Sequence, residues 1–196
     1  MTTLRYGFIG CGMMGQEHLR NIALLPESLV TRVFEPDDAM AGRALALAPA
    51  AQRCQSLEAV VMADDVDCLV ITSPNFRHAE QLQQIARLRP LPLLLEKPAC
   101  TSLEDVRALQ TLAQHYPAPI WVAMEYRYMP PVAEMIRMAH EGAVGQLHQV
   151  SIREHREPFY PKVGDWNRFT ANTGGTLVEK CCHYFNLMDL VLRERP

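Results

Sequence analysis

The sequence predicts an α/β fold, a doubly wound parallel sheet over residues 1–124, followed over residues 125–196 by the incomplete start of an α+β domain. Three observations carry this. Short apolar runs alternate with segments of helical periodicity. The run at 67–72 is continuously apolar, as a parallel strand buried on both faces should be. After residue 124 the alternation stops and an aromatic, proline-rich joint begins. A chain of 196 residues is long enough for one domain with a sizeable core and part of another.

The first run, Leu4 to Ile9, feeds directly into Gly10-Cys11-Gly12-Met13-Met14-Gly15. That order reads as strand, tight turn and helix. The glycine spacing fits a dinucleotide fingerprint: Gly10 for the turn, Gly12 for close approach of backbone to a pyrophosphate, Gly15 for helix packing. The phosphates would lie on the free amides of the helix start, at Met13, Met14 and Gly15. Similar turns serve S-adenosylmethionine, so the glycines alone leave the cofactor open. Leu19, Ile22, Ala23 and Leu24 continue this helix to Pro26, and Ser28–Phe34 is a β-branched second strand. Glu35 follows at its carboxyl end, where a βαβ unit places the carboxylate that accepts hydrogen bonds from the adenosine ribose hydroxyls, and its charge would repel a 2′-phosphate. NAD is therefore favoured, while Arg32 or Arg43 within reach of a phosphate leaves NADP open.

A helix from Asp37 to Leu47, a connection around Pro49 and Cys54, and a helix capped by Ser56 lead to the most strand-like run, 67–72. Ser73, Pro74 and Asn75 leave its carboxyl end, where open α/β sheets hold their ligands, and His78 starts the next helix in a packing or cofactor-facing role. Residues 92–95 repeat the pattern and exit through Glu96-Lys97-Pro98. The residue before a proline is held extended, so the Lys97 ammonium can point into the cleft. A helix from Ser102 to Tyr116, striped by Leu103, Val106, Leu109 and Leu112, and a strand from Ile120 to Met124 close the sheet. Beyond the joint, Val132–Glu141 reads as a helix, Gln146–Glu154 alternates like a strand with one wet face, and Gly174-Gly175 opens one long helix carrying Glu179 and His183.

Composition excludes other classes. The net charge of −3 and the scattered basic residues offer no electrostatic footprint for nucleic acid. No apolar run has spanning length and no signal peptide is evident. The six cysteines lack metal or scaffold spacing; they read as reduced thiols of a cytoplasmic chain, with Cys181 and Cys182 filling a helix's buried side. No metal is expected.

The glycine fingerprint, Ser-Pro-Asn with His78, Glu96-Lys97-Pro98, Tyr126-Arg127-Tyr128, and the double glycine before Glu179 and His183 together resemble the Gfo/Idh/MocA family. The resemblance implies a Rossmann domain and a nicotinamide-dependent oxidoreductase acting on a small sugar, cyclitol or other polyol. It implies that Lys97 is the catalytic lysine, His183 the acid/base histidine and Glu179 the carboxylate of that helix. Independently, an imidazole suits proton transfer near neutrality. Glu179 and His183, four apart on one helix, would stack on one face, and a lysine would stabilise charge on the reacting oxygen. This chain departs from the family pattern with Glu179 for aspartate, Cys181 for glycine and Asn186 for aspartate. Family members are longer and continue into an antiparallel sheet that walls the substrate and forms the oligomer interface. The resemblance therefore implies a truncated substrate domain with impaired catalysis. The alternatives are a non-catalytic dinucleotide sensor, or a fragment completed by another chain.

Overall fold

The computed structural model describes residues 3–192; residues 193–196, where the sequence reading placed the truncation, lie outside them. Six parallel strands form one sheet: β1 (Leu4–Ile9), β2 (Ser28–Phe34), β3 (Gln52–Arg53), β4 (Cys68–Ile71), β5 (Leu93–Leu95) and β6 (Ile120–Val122). Their spatial order is β3-β2-β1-β4-β5-β6, which is the doubly wound order with its switch point between β1 and β4.

Alternation along the central strands divides the core between the two faces. Ile9, Leu69 and Ile71 face one side with Val60, Leu82 and Ile85. Phe8 and Val70 face the other with Leu19, Val33 and Ala44. The helices on these faces are α1 (Met13–Ile22), α2 (Asp38–Leu47), α3 (Leu57–Val61), α4 (His78–Leu88) and α5 (Leu103–His115). Asp37, Ser56 and Ser102 cap three of them through side-chain oxygens, which accept from the amides of Met40, Ala59 and Asp105.

The second half is helical and irregular: α6 (Pro130–His140), a 3₁₀ segment over 163–168, α7 (Thr170–Thr173), α8 (Thr176–Glu179) and α9 (Cys182–Leu192). Trp166 packs edge-on against Phe76 with ring centroids 6.2 Å apart, which docks this half on the exit of β4.

Four expectations are corrected. Residues 146–154 form no strand. Leu147, Val150 and Ile152 are half-buried as the alternation implies, but no strand among the described residues pairs with them, and a strand needs a ladder. The stripe on α5 does not reach the core along its length, because Leu103 is 80% exposed and only Leu109 and Leu112 pack on buried residues. Leu103 and Val106 instead line an apolar groove of about 900 Å³ with Trp121, Leu177 and Phe185. Leu24 is 82% exposed, past the end of α1. The last helix is broken at Lys180-Cys181, as described below.

His78 has a structural place. It is fully buried, with Nδ1 2.7 Å from the Pro98 carbonyl and Nε2 2.9 Å from the Ser73 carbonyl. Burial holds its pKa below the ordinary histidine value, so a single N–H donates, and the tautomer sets to which carbonyl. The ring ties the exits of β4 and β5 together. Replacing it by alanine removes a buried ring and the donor to one carbonyl, and is expected to cost about 2–4 kcal/mol in urea unfolding.

Candidate functional site

The glycine turn is built for close contacts. Gly10 has φ +85°, and a Cβ there would lie 2.5 Å from the Ser73 nitrogen. A Cβ on Gly15 would lie 2.8 Å from both the Gly10 carbonyl and Thr72 Oγ1, so helix and sheet meet with no room for a side chain. Gly12 differs: a Cβ there meets nothing within 4 Å, and no side chain caps α1. The amides at Met13, Met14 and Gly15 thus start a helix that faces open space, which fits an anionic pyrophosphate.

Glu35 stands at the end of β2, and its carboxylate accepts from Cys11 N at 2.6 Å and Asp37 N at 2.9 Å. Arg32 is held by Asp65 at 2.9 Å, a pair it would have to give up to reach a phosphate. Arg53, which sequence reading passed over, donates to the Glu35 carbonyl at 2.9 Å and pairs with Asp38 at 2.8 Å. Ser73 abuts Gly10 and donates to Gln81; Pro74 accepts from the Arg77 amide; Asn75 is buried with an Nδ2 that has no acceptor among the described residues. Glu96 is also buried, and its two oxygens meet His18 Nε2 on α1 at 2.7 Å and the Lys97 amide at 3.2 Å.

The break between α8 and α9 shapes the catalytic candidates. The Thr176 carbonyl accepts from both Lys180 N at 3.0 Å and Cys181 N at 3.1 Å, which widens the turn by one residue. His183 N then donates to the Lys180 carbonyl at 3.3 Å rather than to that of Glu179. The freed Glu179 carbonyl accepts from Lys97 Nζ at 3.2 Å. Lys97 and the start of α9 are thereby joined by a carbonyl that an unbroken helix would have consumed.

The same break overturns the expected Glu179–His183 stacking. No hydrogen bond links the Glu179 carboxylate to the His183 ring among the described residues. Glu179 is buried and its pKa is raised by that burial, against the opposing charges of Lys97, Lys162 and Arg156. His183 Nε2 instead lies 3.5 Å from Glu125 Oε1. Burial, reinforced by Lys97 and Lys180, pushes the His183 pKa down to about 4, so the imidazole is neutral and able to accept a proton. Cys181 and Cys182 are half-buried free thiols at the break rather than one buried helix face.

Three site residues were missed in the sequence. Glu125 was legible from its place just after β6, where strand exits gather ligands; burial raises its pKa. Lys162 comes from an irregular loop that gave no signal. Its pKa is lowered by burial and by Lys97, which brings a second lysine toward the first. Tyr126, noted only as part of a motif, stacks on His183.

Residues 4–124 match the model of the oxidoreductase family with an NAD-binding Rossmann fold, and residues 136–196 match that family's C-terminal alpha/beta domain. The chain belongs to the Gfo/Idh/MocA family. It is 27% identical over 197 residues to the rhizopine catabolism protein MocA of Rhizobium meliloti, covering 100% of this chain and 59% of that one. To inositol 2-dehydrogenase of R. meliloti strain 1021 it is 26% identical over 196 residues, covering 99% and 56%. This Gfo/Idh/MocA chain thus spans a little over half the length of the curated relatives it matches. Among solved structures, the myo-inositol dehydrogenase of Corynebacterium glutamicum ATCC 13032 superposes with a TM-score of 0.79 at 24% identity, covering 96% of this chain and 55% of that one. GenD2 from gentamicin A biosynthesis, in complex with NAD, gives 0.81 at 20% identity, covering 98% and 54%. These structural likenesses speak to the fold. Among the described residues no helix is long and apolar enough to cross a membrane, and no cluster of histidine, cysteine and carboxylates could hold a metal.

Proposed function

We propose that this chain binds NAD on the Gly10–Gly15 turn and takes part in oxidising a secondary alcohol of a cyclitol or sugar, with residues 1–124 as the cofactor domain and residues 125–196 contributing to the substrate side. The observation that carries this reading is the contact of Lys97 Nζ with the Glu179 carbonyl, which gathers a lysine and a buried, neutral His183 beside the sheet's carboxyl edge. When bound, the nicotinamide ring supplies the hydride exchange. The chain's own residues do the rest. Met13, Met14 and Gly15 offer amides to the pyrophosphate, Glu35 faces the ribose, and Ser73, Pro74, Asn75 and Glu96 shape the exits of β4 and β5 around the cofactor. Lys97 steadies negative charge on the reacting oxygen, and His183 accepts its proton. Glu179, with its raised pKa, holds Lys97 in place through its carbonyl and adds a carboxyl to the wall.

The name of the inositol 2-dehydrogenase relative supports a polyol of the inositol type as the substrate class. Fluorescence titration with NADH and NADPH, followed by turnover of NAD with myo-inositol, tests the reading. Saturable NADH binding with turnover is expected; absence of binding to either nucleotide would falsify it, and binding without turnover in a folded chain favours a dinucleotide sensor or a fragment completed by another chain. Because Glu35 is anionic and Arg53 is already paired with Asp38, NADH should bind about tenfold more tightly than NADPH.

A further inference from the structure

Nothing in the hydride-transfer reading uses Lys180, yet it is only 6% exposed. A buried ammonium costs free energy unless well partnered, and here the partners lead to the histidine. Lys180 Nζ pairs with Glu154 Oε2 at 2.9 Å, donates to the Tyr126 hydroxyl and lies 4.5 Å from the centre of the Tyr126 ring. Glu154 in turn accepts from the Tyr184 hydroxyl. The Tyr126 ring then lies flat against the His183 imidazole, with centroids 4.2 Å apart and planes 8° from parallel. An imidazole is ordinarily oriented by a hydrogen bond at its second nitrogen. Among the described residues His183 has none: Nδ1 is buried without a partner there.

We propose that Tyr126 and Lys180 are the positioning residues of His183, the Tyr126 ring fixing the plane of the imidazole and the buried Lys180 ammonium holding the tyrosine ring by its hydroxyl and its face. The proposal rests on the reading of His183 as the proton acceptor. The charged and titratable groups around the ring come from every neighbouring element: Lys97 and Glu96 from the exit of β5, Glu125 from the turn after β6, Glu154 from the following loop, and Lys180 with Cys182 from the helix break. Lys97 and Lys180 oppose protonation, and Glu96 and Glu154 favour it. Burial and Lys97 lower the His183 pKa more than Lys180 does; of the two cations, Lys180 is the one tied to the ring through Tyr126.

The test is the NMR titration of the His183 ring in the full chain. Lys180→Met is expected to raise its midpoint by about one pH unit, from the loss of one nearby charge at an effective dielectric near 20. Glu154→Gln is expected to lower it, and Lys180→Arg to restore the parent value. Tyr126→Leu should reduce kcat about tenfold with KM little changed, while Tyr126→Phe, which keeps the stack, should retain most of the rate. Unchanged midpoints in both Lys180→Met and Glu154→Gln, in folded chains that still bind NADH, would overturn the proposal. So would a Tyr126→Leu chain with the parent kcat. The midpoint reads whether or not the chain turns over, and loss of the proton-acceptor reading itself would show separately, as full turnover in His183→Asn.

Discussion

A His183→Asn chain is expected to bind NADH like the parent and to oxidise its polyol about 10²–10⁴-fold more slowly, the usual worth of a positioned acid/base group. Asparagine fills much of the imidazole's volume, can still face Glu125 and cannot accept the proton. Lys97→Ala should lose about 10²–10³-fold, as for removal of one donor to a developing oxyanion, again with the nucleotide titration unchanged. The pH dependence has a defined sign. His183 accepts a proton only when neutral, so kcat/KM falls as pH drops through its pKa. With that pKa near 4 rather than at the ordinary histidine value, the limb due to His183 should lie near pH 4. A limb near 6.5 in that profile would show that the ring is solvated before substrate binds, contrary to its 2% exposure.

Gly10→Ala and Gly12→Ala should fail in different ways, and the pair separates folding from binding. At Gly10 the new Cβ meets the backbone of Ser73 and Thr72 at 2.5–2.8 Å with φ at +85°. Backbone cannot step aside as a side-chain tip can, and the conformation itself costs about 1–2 kcal/mol for a residue with a Cβ. A loss of about 3 kcal/mol or more in denaturant unfolding is expected, with nucleotide binding lost alongside. At Gly12 the Cβ meets nothing, so the melting temperature should hold. The added methyl points into the space proposed for the pyrophosphate, and NADH affinity should fall at least about tenfold. Equal stability losses in both would mean that the turn's role is packing alone.

The sheet was legible because β4, β5 and β6 are continuous apolar runs, the pattern of parallel strands buried on both faces, and β1 and β2 are mostly apolar or β-branched. β3 was not, since Gln52 and Arg53 are both exposed at the sheet's edge and form only two residues of ladder. Residues 146–154 misled for the converse reason: alternation records which side faces water, and a surface segment can meet that demand without any pairing. The glycine turn could be read residue by residue because each glycine answers a local steric need. The acid/base side could not, because the bifurcated Thr176 carbonyl that breaks the last helix depends on tertiary packing. Helical spacing put Glu179 beside His183; the extra residue in that turn moved the ring to Glu125 and Tyr126 instead.

The Glu35 carboxylate has a second attachment with a practical consequence. Both of its oxygens already receive backbone amides, one from inside the glycine turn at Cys11 and one from the cap of α2 at Asp37. The residue proposed to select between cofactors is thus also a brace for the loop proposed to hold them. Retuning nucleotide preference by exchanging Glu35 alone would slacken the loop at the same moment, so an evolutionary or engineered path toward NADP has to supply a new anchor for the Cys11 amide before, or together with, the loss of the charge.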